Sequence, residues 1–162
     1  MDDEPFKEVE TLMGKRLLIL GLAFLCTGCV SIRIPKYITD KNPYKKTVLS
    51  PYDDVLAATR QALEKLGWPV TDVTDPGMYE HNRDAGVGGK QALLFTKTKE
   101  AARILYSRYT TINVYLTALK DGTEIEIRYL AKKPCLFTTF DAYRNDRLVD
   151  QIFDQIQNGL KP

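Results

Sequence analysis

The feature that most restricts how this chain can fold is a pair of alternating runs joined by a tight turn. Ile112, Val114, Leu116 and Ala118 alternate with Thr111, Asn113, Tyr115 and Thr117. After Asp121-Gly122, Ile125, Ile127 and Tyr129 alternate with Glu124, Glu126 and Arg128. A period of two sends successive side chains to opposite faces of a strand. Asp-Gly favours a two-residue hairpin turn whose central residues take positive φ. The pattern predicts an antiparallel hairpin with one apolar face for a core and one polar face for water. The first strand, drawn from Ile104 to Leu119, is long enough that a bulge or break is expected near Ser107 to Tyr109. Pro134 is expected to stop the sheet, since proline donates no ladder hydrogen bond.

Helical periodicity brackets this hairpin. Ser50 is a good N-cap, Pro51 suits the first helical position, and Asp53 sits near a capping box. Val55, Leu56, Thr59, Ala62, Leu63 and Leu66 then line one face, with Gly67 placed where a left-handed residue ends the helix. Near the other end, Phe140 to Leu160 reads as a closing helix with Leu148, Val149, Ile152, Phe153 and Ile156 as its buried stripe. Thr139 or Asn145 is its cap, and Gly159 marks its end. Trp68 to Thr74 reads as a strand, Asp75-Pro76-Gly77 as a turn, Met78 to His81 as a short returning strand, and Leu93 to Thr98 as another strand. Lys99 to Arg103 reads as a polar bend. The predicted fold class is α+β: an antiparallel sheet of four to five strands with an N-terminal and a C-terminal helix packed on one face, a helix-grip-like arrangement.

A different signal occupies Met13 to Cys29. Lys15 and Arg16 precede an apolar run, Leu17 to Leu25, that is shorter than the roughly 20 residues a membrane span needs. The small residues Thr27 and Gly28 then stand before Cys29. This resembles the export signal of bacterial lipoproteins, although Cys26 stands where that pattern prefers leucine. It implies cleavage between Gly28 and Cys29 and acylation of Cys29, with palmitate-like chains as the membrane anchor; two or three chains anchor stably where one does not. Val30 in place of aspartate implies, by the same analogy, the periplasmic side of the outer membrane. The acidic stretch before Met13 is atypical of such signals, and Met13 is read as the true start. The expected organisation is a leader and signal over 1–28, a lipid-anchored tether over 29–49, rich in Lys, Arg and Pro, and a globular domain over 50–162.

Cleavage would remove three bases and five acids and raise the formal net charge from +2 to +4, no concentrated nucleic-acid footprint. Cys135 would be the one thiol left, so no internal disulfide is expected, and its ordinary role is a packed small hydrophobe. His81 is the sole histidine, and nothing in the sequence brings it to Cys135 as a base for a nucleophile. Gly86-Val87-Gly88-Gly89-Lys90 fails as a phosphate loop, because Asp84 stands at the first glycine and Gln91 follows the lysine. Glu124 with Glu126, and Asp150 with Asp154, read as solvated surface. Tyr106, Tyr109, Tyr115 and Tyr129 lie on the sheet, as core or as a platform for a partner. No catalytic residue, metal or cofactor is expected. The glycine-rich loop Asn82 to Lys90 is the expected partner contact, through Asn82, Arg83, Gly86, Gly88, Gly89 and Lys90.

The run from Ser50 to Trp68, the Asp75-Pro76-Gly77-Met78-Tyr79-Glu80 segment, and Lys120-Asp121-Gly122-Thr123 followed by a terminal helix resemble small bacterial lipoprotein domains. Among these are the helix-grip domains of BamC-type accessory lipoproteins of the outer-membrane β-barrel assembly machine. The resemblance covers Ser50 to Leu160 and one such domain. It implies a non-enzymatic binding or accessory module in envelope assembly or maintenance, with an envelope protein as partner. The alternative is a carrier holding a lipid or small ligand in an apolar pocket between helix and sheet, behind Leu148, Ile152 and Ile156.

Overall fold

A computed structural model describes residues 33–81, 83, 85–103, 106–135 and 138–161. The leader, the export signal, Gly28 and Cys29 lie outside the described residues. The chain forms one antiparallel sheet from β1 (Tyr44–Val48), β2 (Val70–Thr74), β3 (Gln91–Thr96), β4 (Lys99–Arg103), β5 (Tyr106–Leu119), β6 (Gly122–Cys135) and β7 (Thr138–Ala142). Two helices, α1 (Tyr52–Lys65) and α2 (Asp146–Gly159), complete it. Strand order is β1-β6-β5-β3-β2, and at the opposite end of the long central hairpin β4 joins β5 and β7 joins β6.

The α+β class and the placement of both helices on the apolar face are as the periodicity predicts. Val55, Ala62 and Leu63 of α1 and Val149, Ile152 and Ile156 of α2 pack on Leu94, Ile112, Val114, Leu116, Ile125 and Ile127 in one core. Full burial of an aliphatic side chain is worth about 1.5–3 kcal/mol, so this layer supplies most of the driving force. Gly67 ends α1 with φ +71, and Asn145 caps α2 by accepting from Leu148 N at 3.3 Å.

Several boundaries differ from the expected ones. The hairpin loop is Lys120-Asp121, one residue earlier, and Gly122 already pairs with Leu119. Gly122 has φ +148, and a Cβ there would lie 2.2 Å from the Val48 carbonyl oxygen, so the end of β1 requires a glycine. The break expected within β5 falls in its neighbours instead: β5 is continuous, pairing with β3 through 113–117 and with β4 through 106–110. Lys99 to Arg103 is therefore a strand, not a bend, and the sheet has seven strands. Pro134 does not stop β6. It faces Thr139 of β7, and β5 pairs with β6 only as far as Lys132, so the missing N–H forfeits no bond on that side. Thr139 and Phe140 belong to β7, and the closing helix starts at Asp146.

Ser50 does not cap α1. Pro51 holds the cap position without a side-chain bond, while the Ser50 carbonyl accepts from Thr123 Oγ1 at 3.0 Å. Met78 to His81 is not a strand, because Asp75 accepts from Gly77 N and closes a 3-10 turn over Pro76–Met78 that swings the chain across the sheet. Residues 36–48, expected within the tether, are part of the domain: Ile38 is buried and β1 pairs with β6.

Candidate functional site

The polar half of the alternating pattern faces a second covered layer. Asn113 and Tyr115 are fully buried, and Glu126 and Arg128 are 1% and 5% exposed. The expectation of a wet face, with Glu126 in water, is overturned. The cause is a strap that the periodicity could not reveal. Lys36 Nζ pairs with Asp72 on β2 at 2.7 Å and lies 4.6 Å from the centre of the Phe95 ring. Asn113 then holds the strap backbone twice, accepting from Ile38 N at 2.7 Å and donating to the Lys36 carbonyl at 3.1 Å. Arg128 of β6 donates to the Ile38 carbonyl at 3.1 Å, after which the chain enters β1. The strap thus crosses from the β2 edge to the β1 edge. The segment after β2 folds beside it, with Tyr79 stacked on Tyr37 at 5.0 Å and meeting Phe95 edge-on at 5.5 Å.

Beneath these covers four charges close a ring. Glu80 Oε1 lies 2.7 Å from Arg128 Nη1, and Arg128 Nη2 lies 2.7 Å from Glu126 Oε1. Glu126 Oε2 lies 2.9 Å from Arg83 Nη2, and Arg83 Nη1 returns to Glu80 Oε2 at 3.1 Å. The two guanidinium carbons sit 4.4 and 4.3 Å from the centre of the Tyr115 ring, whose negative π face favours them. Tyr37 adds its hydroxyl to Glu80 and accepts from Arg128. The Tyr115 hydroxyl is buried and makes no hydrogen bond among the described residues.

The electrostatics follow from this geometry. Burial alone would raise the Glu80 carboxyl, but hydrogen bonds from Arg128, Tyr37 and Arg83 outweigh it and lower its pKa to about 2. Burial opposes ionisation of Glu126 as well, and the bonds and charges of Arg83 and Arg128 again win, lowering its pKa. Burial pushes the Tyr115 phenol well above its ordinary value. All three shifts lead away from neutral pH, so none of these groups is poised to exchange a proton there. The ring is internally neutral, with two acids and two bases. It is a clasp that fastens strap and loop to the sheet.

Arg83, expected as a partner contact, is a member of this clasp. Gly86 is wedged against the chain, where a Cβ would lie 2.4 Å from the Lys90 carbonyl oxygen and 2.8 Å from the backbone of Ala118. Lys90 pairs with Asp53 at 2.9 Å. Gly88 and Gly89 have open space around them. Asn82 lies outside the described residues. The loop is thus pinned at Arg83, Gly86 and Lys90, and open at Gly88 and Gly89.

Cys135 is exposed at the end of β6 and not packed in a core. His81 is exposed as well. Tyr129 faces the helices and Tyr115 the strap, so these two share no platform. Asp150 and Asp154 are exposed, and Glu124 is half-buried near Lys45. Among the described residues no group of three or more His, Cys, Asp or Glu converges on a possible metal position. Three clefts, of about 390, 240 and 540 Å³, open on the surface around Leu49 and Ser50. The carrier alternative requires space behind Ile152 and Ile156, which are fully buried in the helix-side core.

One signal for the clasp was present in the sequence: Glu126 and Arg128 share a strand face and Tyr115 is the partner of Glu126 in register. Tyr37 and Glu80 carry no such signal. No family model matches the sequence, and no curated protein matches it.

Proposed function

We propose that the chain is a lipid-anchored, non-enzymatic binding module that faces the periplasm from the outer membrane and serves envelope assembly or maintenance through a protein partner. The observation that carries this reading is the position of the export-like signal relative to the fold. The pattern ending Thr27-Gly28-Cys29 stops a few residues before Lys36, where the strap is first fastened by an ion pair. Cleavage before Cys29 would therefore leave every contact described above intact.

The short leash sets the mechanism. Seven residues, Cys29 to Pro35, separate the acyl attachment from the fastened strap, and at full extension they reach about 25 Å. A domain so confined works at a high effective concentration toward anything else on the same membrane. The resemblance to BamC-type helix-grip domains agrees with a module that binds.

Intact mass and membrane fractionation of the expressed protein, with a Cys29→Ala control, test the reading. The expected product begins at Cys29, carries a diacylglyceryl and a further acyl group, and fractionates with outer membranes, while the Cys29→Ala chain is unmodified. A wild-type chain that keeps its leader and carries no lipid overturns it.

A further inference from the structure

The end of the sheet opposite the hairpin turn is a four-stranded wing, β4-β5-β6-β7. Its register sorts its charges by face. Ala131 and Tyr129 belong to the helix-side core, so Lys133, two residues on from Ala131, emerges on the same side. Phe140 pairs with Lys133 and is 61% exposed. Arg108 reaches the Tyr129 hydroxyl, which places it on this side too. The acids of the wing go the other way. Asp141 is opposite Lys132, with which it pairs at 2.9 Å, and Glu100 is opposite Tyr109, whose hydroxyl it accepts at 3.0 Å.

Among the described residues the helix-side face of the wing thus presents cations and an exposed phenylalanine with no neutralising acid. Among the described residues neither Arg108 nor Lys133 makes an ion pair. Among those residues the Arg108 Nε is also buried without a hydrogen-bond acceptor. The contrast with the clasp is sharp: there each arginine has two carboxylates, and here an arginine has none.

We propose that this wing face is a contact surface for anionic phospholipid headgroups. An open strand face offers a planar surface, and a bulky apolar side chain beside basic ones can enter the headgroup boundary while the cations meet phosphates. Tyr143, 38% exposed, continues the apolar edge where the chain leaves β7. The proposal extends the anchored-module reading, on which it rests, by naming the face that meets the membrane. With the wing docked, the clefts around Leu49 and Ser50, at the hairpin-turn end, are left for partners.

Cys135 supplies the probe, since it is exposed at the tip of β6 and shares the side of Lys133. In the processed, acylated full-length protein it is the one free thiol. The protein is labelled there with a polarity-sensitive fluorophore and reconstituted into phosphatidylcholine vesicles with or without phosphatidylglycerol. The expected result is blue-shifted emission and quenching by a lipid-borne quencher in the phosphatidylglycerol vesicles alone. Salt should reverse both, as the screening length falls from about 10 Å at 0.1 M to about 3 Å at 1 M. Lys133→Glu should lower the docked-to-undocked ratio about fivefold or more. Phe140→Ser should lower it as well, and Lys120→Glu, the same charge change at the hairpin turn, should leave it unchanged. Equal emission in both vesicle types, or an equal loss from Lys120→Glu, overturns the proposal. Three labels per chain would instead report failure of the anchoring reading. The unanchored chain would then be sedimented with the same vesicles, and binding without preference for phosphatidylglycerol would overturn the wing contact separately.

Discussion

The two faces of this sheet are almost equally buried and are held by different physics. On the helix face, Ile125, Ile127 and Val114 meet apolar side chains of α1 and α2, and any neighbour of about the right shape will serve. On the strap face, Glu126 and Arg128, one residue away from those isoleucines, are buried with specific partners that arrive from residues 37, 45, 80 and 83. A charge taken from water costs several kcal/mol, recovered only through good geometry. One face is tolerant and its cost of damage local; the other works as a unit.

The strongest test of that contrast uses two neighbours in β6. Arg128→Ala leaves Glu80 and Glu126 sharing Arg83 alone, so the ring holds one acid too many, and should cost about 3–5 kcal/mol. Ile127→Ala leaves a cavity and should cost about 2–5 kcal/mol. Denaturant unfolding will show similar losses. The distinction lies in rescue: adding Glu80→Gln to Arg128→Ala rebalances the ring, leaving Glu126 paired with Arg83, and should restore part of the stability, and adding it to Ile127→Ala should restore none. Failure of that rescue would mean that the clasp acts through packing and not through charge.

The same contrast explains what could be read in advance. Period-two alternation and helical periodicity report which residues share a face, and that was enough for the central hairpin, both helices and the α+β class. They do not report what covers a face. The polar side of the hairpin looked like a solvent surface because Glu, Arg and Asn usually face water. Its cover comes from residues 36–38, 75–81 and 83, distant in sequence and without periodicity. The strap looked like a tether because its lysines and prolines have a linker's composition. The glycine-rich loop was legible as a loop, but its pinning by Arg83 and Gly86 depends on Glu126 and on the backbone of Ala118, contacts that local sequence does not encode.

Acid should separate the two faces next. The Glu80 pKa is lowered from an ordinary 4.5 to about 2, so its contribution is fully present above about pH 4.5 and is lost as pH falls through 2. Glu126, also lowered, acts in the same direction. At about 1.4 kcal/mol per pKa unit, Glu80 alone accounts for up to about 3 kcal/mol. The Ile38 amide, bonded to Asn113 across the strap face, should lose hydrogen-exchange protection, corrected for intrinsic rate, between pH 5 and 2. Trp68, buried in the helix-side core, should keep its native fluorescence until lower pH. Simultaneous loss of both signals would show that the faces unfold as one unit.

A smaller effect is expected where β1 passes the hairpin turn. Gly122→Ala puts a methyl group against the Val48 carbonyl at a backbone angle that alanine rarely adopts, at a cost of about 1–3 kcal/mol. Because β1 receives the strap, exchange of β1 and strap amides should rise together. If only the turn responds, the strap is fastened by the clasp alone and needs no anchorage in β1.

The smallest effect should stay on the helix face. Asn145 accepts from Leu148 N at the start of α2, and Asn145→Ala leaves that donor unmatched, at about 1 kcal/mol. The Asn145 N–H also receives support from the Tyr44 hydroxyl at 3.0 Å, which links the start of α2 to β1 but makes no contact with the charge ring. The variant should therefore lower the denaturant midpoint slightly while the pH at which the Ile38 amide loses protection stays where it was. A shift in that pH would mean that the apolar layer and the clasp are coupled through β1, and that the tolerance of one face is limited by the precision of the other.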